Sequence, residues 1–205
     1  MNPVHHELIL GGQKSGKTAR AETLAAAWLA RGSGHRALYL ATAMPWDEEM
    51  RRRIARHQQD RARRVPGMAT LQAGEDGRPL DVPVLLRTHG AADTAIVLDC
   101  LTLWLTQQLS EAPDAARLRG GEGGRETAQD MRAAEDDLVR AVAACPGPVY
   151  VVSNEIGLGV IPLGAEVRAF VDALGRLNQR MAVACSHVTL MAAGLPLVLK
   201  APTGP

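Results

Sequence analysis

Residues Gly11-Gly12-Gln13-Lys14-Ser15-Gly16-Lys17-Thr18 satisfy G-x-x-x-x-G-K-[ST]. An apolar run, Glu7–Leu10, precedes them, and an Ala/Leu-rich stretch, Lys17–Arg31, follows. No other feature of the chain constrains its fold as much. A strand, a tight glycine-containing loop and a helix in that order form the phosphate-cradling unit of an α/β sheet. The glycines let backbone N–H groups converge on phosphate oxygens, and the helix N-terminus adds partial positive charge. In such a loop Lys17 reaches the terminal phosphates and the Thr18 hydroxyl ligates Mg²⁺. The sequence places Lys17 at an exposed loop-to-helix junction. Of three lysines among many arginines, two, Lys14 and Lys17, lie in this loop, as expected where a compact ammonium is needed rather than a planar fork. The competing reading is an ordinary glycine turn before a helix.

The rest of the chain alternates short apolar runs with helical patterns, the signature of parallel α/β architecture. Strands are expected at Glu7–Leu10, Arg36–Ala41, Ala95–Asp99, Val149–Ser153, Val188–Met191 and Leu197–Lys200. Helices are expected at Lys17–Arg31, Asp47–Arg64, Arg125–Ala144 and Glu166–Cys185. Ser110–Thr127, glycine-rich and polar, reads as a surface loop inside one domain spanning residues 1–205. The expected fold is therefore α/β, a P-loop NTPase-type (RecA-like), mostly parallel sheet flanked by helices.

Composition narrows function by exclusion. A net charge of +1 argues against a general nucleic-acid binder. The 3% aromatic content leaves little for base stacking. Cys100, Cys145 and Cys185 are far apart, with no CxxC pair, which favours inert core thiols in a reducing compartment. No apolar run is long enough to span a bilayer and no secretory leader is visible, so a cytoplasmic location is expected.

Two further features bear on chemistry. Ala95-Ile96-Val97-Leu98-Asp99 ends an apolar strand in a carboxylate, the arrangement that orients Mg²⁺ or its water beside a P-loop; the alternative is a turn-forming Asp. Between Arg51 and Arg64 runs a basic helix containing a lone histidine, His57. This is either a solvated Arg-rich face or a cationic surface for phosphates, with His57 as nucleophile or acid–base group.

Together, separated segments resemble the bifunctional adenosylcobinamide kinase/adenosylcobinamide-phosphate guanylyltransferase family of cobalamin biosynthesis. The resemblance runs through the P-loop, Tyr39-Leu40-Ala41-Thr42-Ala43, Asp47-Glu48-Glu49-Met50 leading to Arg53-Ile54-x-x-His57, and Asp60-Arg61. It continues through Leu98-Asp99-Cys100-Leu101-Thr102-Leu103-Trp104, Ser153-Asn154-Glu155-Ile156-Gly157-Leu158-Gly159 and Asn178-Gln179. It implies phosphorylation of adenosylcobinamide by a nucleoside triphosphate, ATP or GTP. It further implies GMP transfer from GTP through a covalent guanylyl-histidine at His57. By the same resemblance Ala41, Thr42, Ala43, Gln58, Gln59, Asp60, Arg61, Gln72 and Asp99 line the GTP site, Thr18 and Asp99 hold Mg²⁺, and the protein is a homotrimer. The chain departs from the family pattern at Met68-Ala69-Thr70-Leu71-Gln72, where Trp and then Thr-x-Glu are usual, and at Asp99, where Glu is more usual. Gly175 and Asn178 weaken a helix locally and suggest close packing between subunits.

Three other functions fit part of the pattern. A small-molecule P-loop kinase without guanylyl transfer leaves His57 no chemical role. A GTPase-like switch would carry an Asn-Lys-x-Asp guanine motif, which this sequence lacks. A nucleic-acid-associated ATPase using the Arg51–Arg64 helix would show steep salt dependence.

Overall fold

The structure, a computed structural model, describes residues 4–74, 77–111 and 124–202. The alternation of apolar side chains decides the layers. In β1 (Glu7–Gly11), Leu8 and Leu10 enter one core and Ile9 the other; in β4 (Thr94–Asp99), Ile96 and Leu98 separate likewise from Ala95 and Val97. Strands buried on both faces in this way need cover on both faces. Small residues of α1 (Lys17–Leu29), Ala21 and Ala25, let that helix approach one face closely. On the other face lie α3 (Val82–His89), α4 (Leu101–Glu111), α5 (Gly124–Ala144) and α6 (Ala165–Ala184), which supply Val82, Leu105, Leu138 and Leu174.

The remaining elements are β2 (Arg36–Ala41), α2 (Glu48–Arg64), β3 (Ala69–Gln72), β5 (Val149–Val152), β6 (His187–Ala192) and β7 (Leu195–Lys200). The sheet order is β3-β2-β4-β5-β1-β6-β7. Every pairing is parallel except β6 with β7. The chain is thus an α/β protein with a mostly parallel seven-stranded sheet flanked by helices. The parallel strands deliver their C-terminal ends to one edge, where ligands of open α/β sheets bind. Register pairs Ala41 with both Gln72 and Asp99, and Asp99 with Val152, so residues distant in sequence become neighbours there. Among the described residues no helix is long and apolar enough to cross a membrane.

The structure adds elements that sequence periodicity did not indicate: β3, α3 and α4. The expected loop Ser110–Thr127 is also revised at its ends, since α4 runs to Glu111 and α5 begins at Gly124; residues 112–123 lie outside those described. Cys100, Cys145 and Cys185 are free and buried, and burial pushes the Cys100 and Cys185 thiols up to about 12.

Candidate active site

The phosphate loop starts where β1 must turn without a side chain. Gly11 has φ 149°, and a Cβ there would sit 2.5 Å from the Met191 carbonyl and from Ser15 Oγ. Gly16 holds the left-handed N-cap of α1 at φ 103°. The tip of the β6–β7 hairpin braces the loop from outside, with Gly194 N–H donating to Ser15 O at 3.0 Å. On the other side, Glu155 N–H donates to Gly11 O at 3.3 Å. Gly12, Gln13 and Lys14 are exposed at the rim, while the Ser15 hydroxyl is buried and makes no hydrogen bond.

Lys17 is not at an exposed junction. It is 8% exposed, and its Nζ donates to Gly12 O at 2.6 Å, curling over the loop. Burial holds its pKa below the ordinary lysine value, with the Asp99 carboxylate opposing that shift. The correction follows from α1 packing flush on the sheet, which covers the helix's first turn. An ammonium folded onto a carbonyl of its own loop is positioned to exchange that carbonyl for phosphate oxygens.

Beside it, Asp99 Oδ2 accepts two hydroxyls: Thr18 Oγ1 at 2.7 Å and Tyr39 Oη at 2.6 Å. The Thr18 and Asp99 expectations thus meet at one point. Their hydroxyl and carboxylate oxygens are hard donors of the kind Mg²⁺ takes when substrate phosphates complete its shell. The residues therefore fit that ion, although among the described residues no three His, Cys, Asp or Glu side chains cluster to hold a metal on their own.

The other expected residues sort by what their atoms already do. Thr42 is fully buried; its Oγ1 donates to Cys100 O at 2.9 Å and accepts from Cys100 N–H at 2.7 Å, and its carbonyl accepts from Gln107. It ties the end of β2 to the end of β4 and presents no side chain to a ligand. Gln72 is likewise buried, donating to Ala43 O at 2.6 Å and accepting from Gln58 at 3.4 Å. It thereby holds the Ala41–Ala43 turn, a donor role that a Glu in its place would not fill. Arg61 is buried, with its guanidinium 3.8 Å over the Tyr39 ring and its Nε donating to Thr70 Oγ1 at 3.2 Å. Asp60 is half-buried, and Gln59 is exposed on the side of α2 opposite its packed stripe.

His57 is exposed on α2, one helical turn before Arg61. Partial desolvation of its ring and the nearby Arg53 guanidinium lower its pKa from the ordinary 6.5, while the Asp99 and Asp60 carboxylates act against them. A lowered value keeps the imidazole neutral at neutral pH, which a nucleophile requires.

Sequence reasoning missed Tyr39 as the partner of Asp99; only sheet register brings them together, Tyr39 lying opposite Val97. It also missed the hydrogen-bonded chain below the 153–155 loop. Ser153 Oγ donates to Asn178 Oδ1 at 2.7 Å, Asn178 Nδ2 to Asn154 O at 3.1 Å, and Asn154 Nδ2 to Thr102 Oγ1 at 2.9 Å. Asn178 is therefore a buried brace within the subunit, not the inter-subunit packing residue expected, whereas open space surrounds Gly175.

A strand, phosphate loop and helix whose Thr18 hydroxyl meets the carboxylate ending β4, two positions along the sheet from β1, define a P-loop nucleotide-binding protein. A model of the family described as "Cobinamide kinase / cobinamide phosphate guanyltransferase" matches residues 7–199. The bifunctional adenosylcobalamin biosynthesis protein CobP of Pseudomonas aeruginosa is 43% identical over 95% of this chain and 96% of its own length. The bifunctional adenosylcobalamin biosynthesis protein CobU of Salmonella typhimurium is 35% identical over 94% of this chain and 98% of its own. The chain belongs to this cobinamide kinase/guanyltransferase family and is an enzyme of cobalamin biosynthesis. A KaiC-like protein from Pyrococcus horikoshii aligns in three dimensions with a TM-score of 0.47 at 13% identity, covering 91% of this chain and 70% of that one.

Proposed function

We propose that this one domain catalyses two successive transfers: phosphorylation of the aminopropanol hydroxyl of adenosylcobinamide, then GMP transfer from GTP through a guanylyl-histidine at His57. The observation that carries the reading is the convergence of Thr18 and Tyr39 on Asp99 beside Lys17, close enough for the Asp99 charge to act on His57. One metal-side carboxylate therefore acts electrostatically on both the phosphate-loop lysine and the His57 imidazole.

In the first transfer the loop N–H groups and Lys17 hold the triphosphate of ATP or GTP. As the acceptor oxygen bonds the γ-phosphorus, the bond from that phosphorus to the β–γ bridging oxygen breaks, the nucleoside diphosphate leaves and the hydroxyl proton passes to solvent. A bound Mg²⁺, held by Thr18 and Asp99, supplies charge neutralisation on the phosphates. In the second, an imidazole nitrogen of His57 attacks the α-phosphorus of GTP. The N–P bond forms as the bond to pyrophosphate breaks, with Lys17 and the loop amides absorbing the leaving charge. A phosphate oxygen of adenosylcobinamide phosphate then attacks the guanylyl phosphorus, and the N–P bond breaks to restore the imidazole. Ala41 and Ala43, held by Gln72, together with Gln58 and Asp60, border the guanosine.

The protein acts in the cytoplasm as a homotrimer in this reading. Supporting assembly, apolar side chains stand in water at Leu195, Leu197, Val198 and Leu199 on β7, and at Leu158, Val160, Ile161 and Leu163. Incubation with α-labelled GTP and Mg²⁺, then denaturation, tests the central step. Acid-labile, base-stable label on the protein is expected; its absence overturns guanylyl transfer and leaves a simple kinase.

A further inference from the structure

Helix α2 carries His57, yet little apolar surface holds it in place. Its inward stripe reads Met50, Ile54, Gln58 and Arg61, and its one buried residue is the arginine. Charge secures its C-terminal half at two points. Arg61 lies over the Tyr39 ring and bonds Thr70, as described above. Arg64 places its Nε 2.8 Å from Glu22 Oε2 and donates from Nη2 to Glu22 Oε1 at 3.3 Å.

Glu22 belongs to α1, just over one turn beyond the phosphate-loop Lys17 and Thr18, and is 2% exposed. A carboxylate taken this far out of water is costly unless paired. Its desolvation raises its pKa, and the Arg64 and Arg61 charges act against that rise. Arg64 remains half-exposed, so the carboxylate is a fixed point and the guanidinium the group that comes to it. Residues 57, 61 and 64 are spaced i, i+4 and i+7, so His57 and both anchoring arginines share one flank of the helix. Where the two arginines dock sets where the imidazole stands relative to the phosphate loop.

We propose that Glu22 is a positioning residue for His57: through Arg64 it fixes α2 on the phosphate-loop helix, so that the imidazole meets the α-phosphorus of a bound nucleotide. This rests on the reading of His57 as the guanylylated nucleophile. Glu22 bonds Arg64, whereas Asp99 bonds Thr18 and Tyr39, so phosphorylation of the hydroxyl acceptor is expected not to require α2 in that pose.

The test uses the full-length protein as Glu22→Gln, nearly isosteric in a buried site, and Arg64→Gln and Arg64→Lys on the exposed side of the pair. Three readouts are taken: guanylyl-protein formation from α-labelled GTP, phosphorylation of adenosylcobinamide, and amide hydrogen exchange across residues 48–64. Misplacement of a nucleophile by about 1 Å costs roughly 100-fold, so adduct formation in Glu22→Gln should fall at least about tenfold. Phosphorylation should stay within about twofold of wild type, since no interaction made only in that transition state is lost. Exchange across 48–64 should accelerate while β1 and β4 stay protected, and Arg64→Lys should recover more adduct than Arg64→Gln. Unchanged exchange across 48–64 overturns the proposal, as does a parallel fall of both activities. If the wild-type protein itself forms no adduct, the reading of His57 fails instead, and the exchange result alone decides whether Glu22 anchors α2.

Discussion

Lys17→Ala removes an ammonium that the fold has already drawn partly out of water. In the free protein that group makes one hydrogen bond, to Gly12 O at 2.6 Å, from a side chain only 8% exposed. Losing a charged-group hydrogen bond costs about 1.5–3 kcal/mol, but the desolvation that lowers the lysine pKa is relieved at the same time. The net change in folding stability should be about 1 kcal/mol, a melting shift of roughly 2–4 °C for a chain of this length. With triphosphate bound the balance differs, because the same ammonium now meets charged oxygens. Two charge-assisted bonds of about 1.5–3 kcal/mol each amount to about 3–6 kcal/mol, or roughly 10² to 10⁴ in affinity. Thermal-shift titration with a non-hydrolysable GTP analogue and Mg²⁺ measures both quantities in one experiment. A small shift in the ligand-free melt with binding weakened at least about a hundredfold is expected. Binding within about tenfold of wild type, or loss of cooperative melting, refutes the reasoning.

Guanylyl-protein formation should rise with pH through a midpoint below 6.5 and then level off, because the lowered His57 pKa leaves the imidazole protonated and non-nucleophilic only below that point; single-turnover labelling at several pH values checks it. Glu7, with its side chain 1% exposed and bonded to His5, Arg20 and Thr189, has its carboxyl lowered from 4.5 to about 2. A depressed carboxyl contributes stability above its unfolded value, so roughly 3 kcal/mol should be lost as pH falls from 4.5 towards 2. Urea melts of Glu7→Gln should lack that acid-dependent portion. Gly147→Ala should destabilise by about 3 kcal/mol, since a Cβ there would collide with the Ala91 and Thr94 carbonyls, and urea melts check this as well.

The central strands were legible because burial on both faces leaves unbroken apolar runs, as in Ala95–Leu98 and Val149–Val152. The phosphate loop was legible because its glycines and Lys-Thr answer to local geometry. β3 was not: Ala69–Gln72 is a four-residue edge strand, half-buried and without a clear period. α3 carried signals that were overlooked, an Asp81 N-cap bonding Val84 N–H and a proline in its first turn. α4 follows β4 almost without a break, so Leu101–Leu105 reads as a continuation of the strand's apolar run. Residues of the site were legible one by one, but their division of labour was not. Whether Thr42, Gln72 and Arg61 face a ligand or brace the backbone depends on neighbours 9 to 65 residues away, which only register supplies. Lys17 was misplaced for the same reason, since its burial comes from the packing of α1.

Assaying both products from one purified His57→Ala variant tests the account most directly. In the proposed mechanism phosphorylation uses the phosphate loop, Lys17 and the Thr18–Asp99 pair, and among the described residues the hydrogen bonds of Lys17, Thr18 and Asp99 do not run to the imidazole. Guanylyl transfer needs a nucleophile that stores the activated nucleotide, and no neighbouring arginine or glutamine can replace an imidazole in that role. The variant is expected to retain phosphorylation of adenosylcobinamide, to take up no label from α-labelled GTP, and to make no adenosylcobinamide-GDP. Continued formation of adenosylcobinamide-GDP, or collapse of phosphorylation ahead of guanylyl transfer, would contradict it.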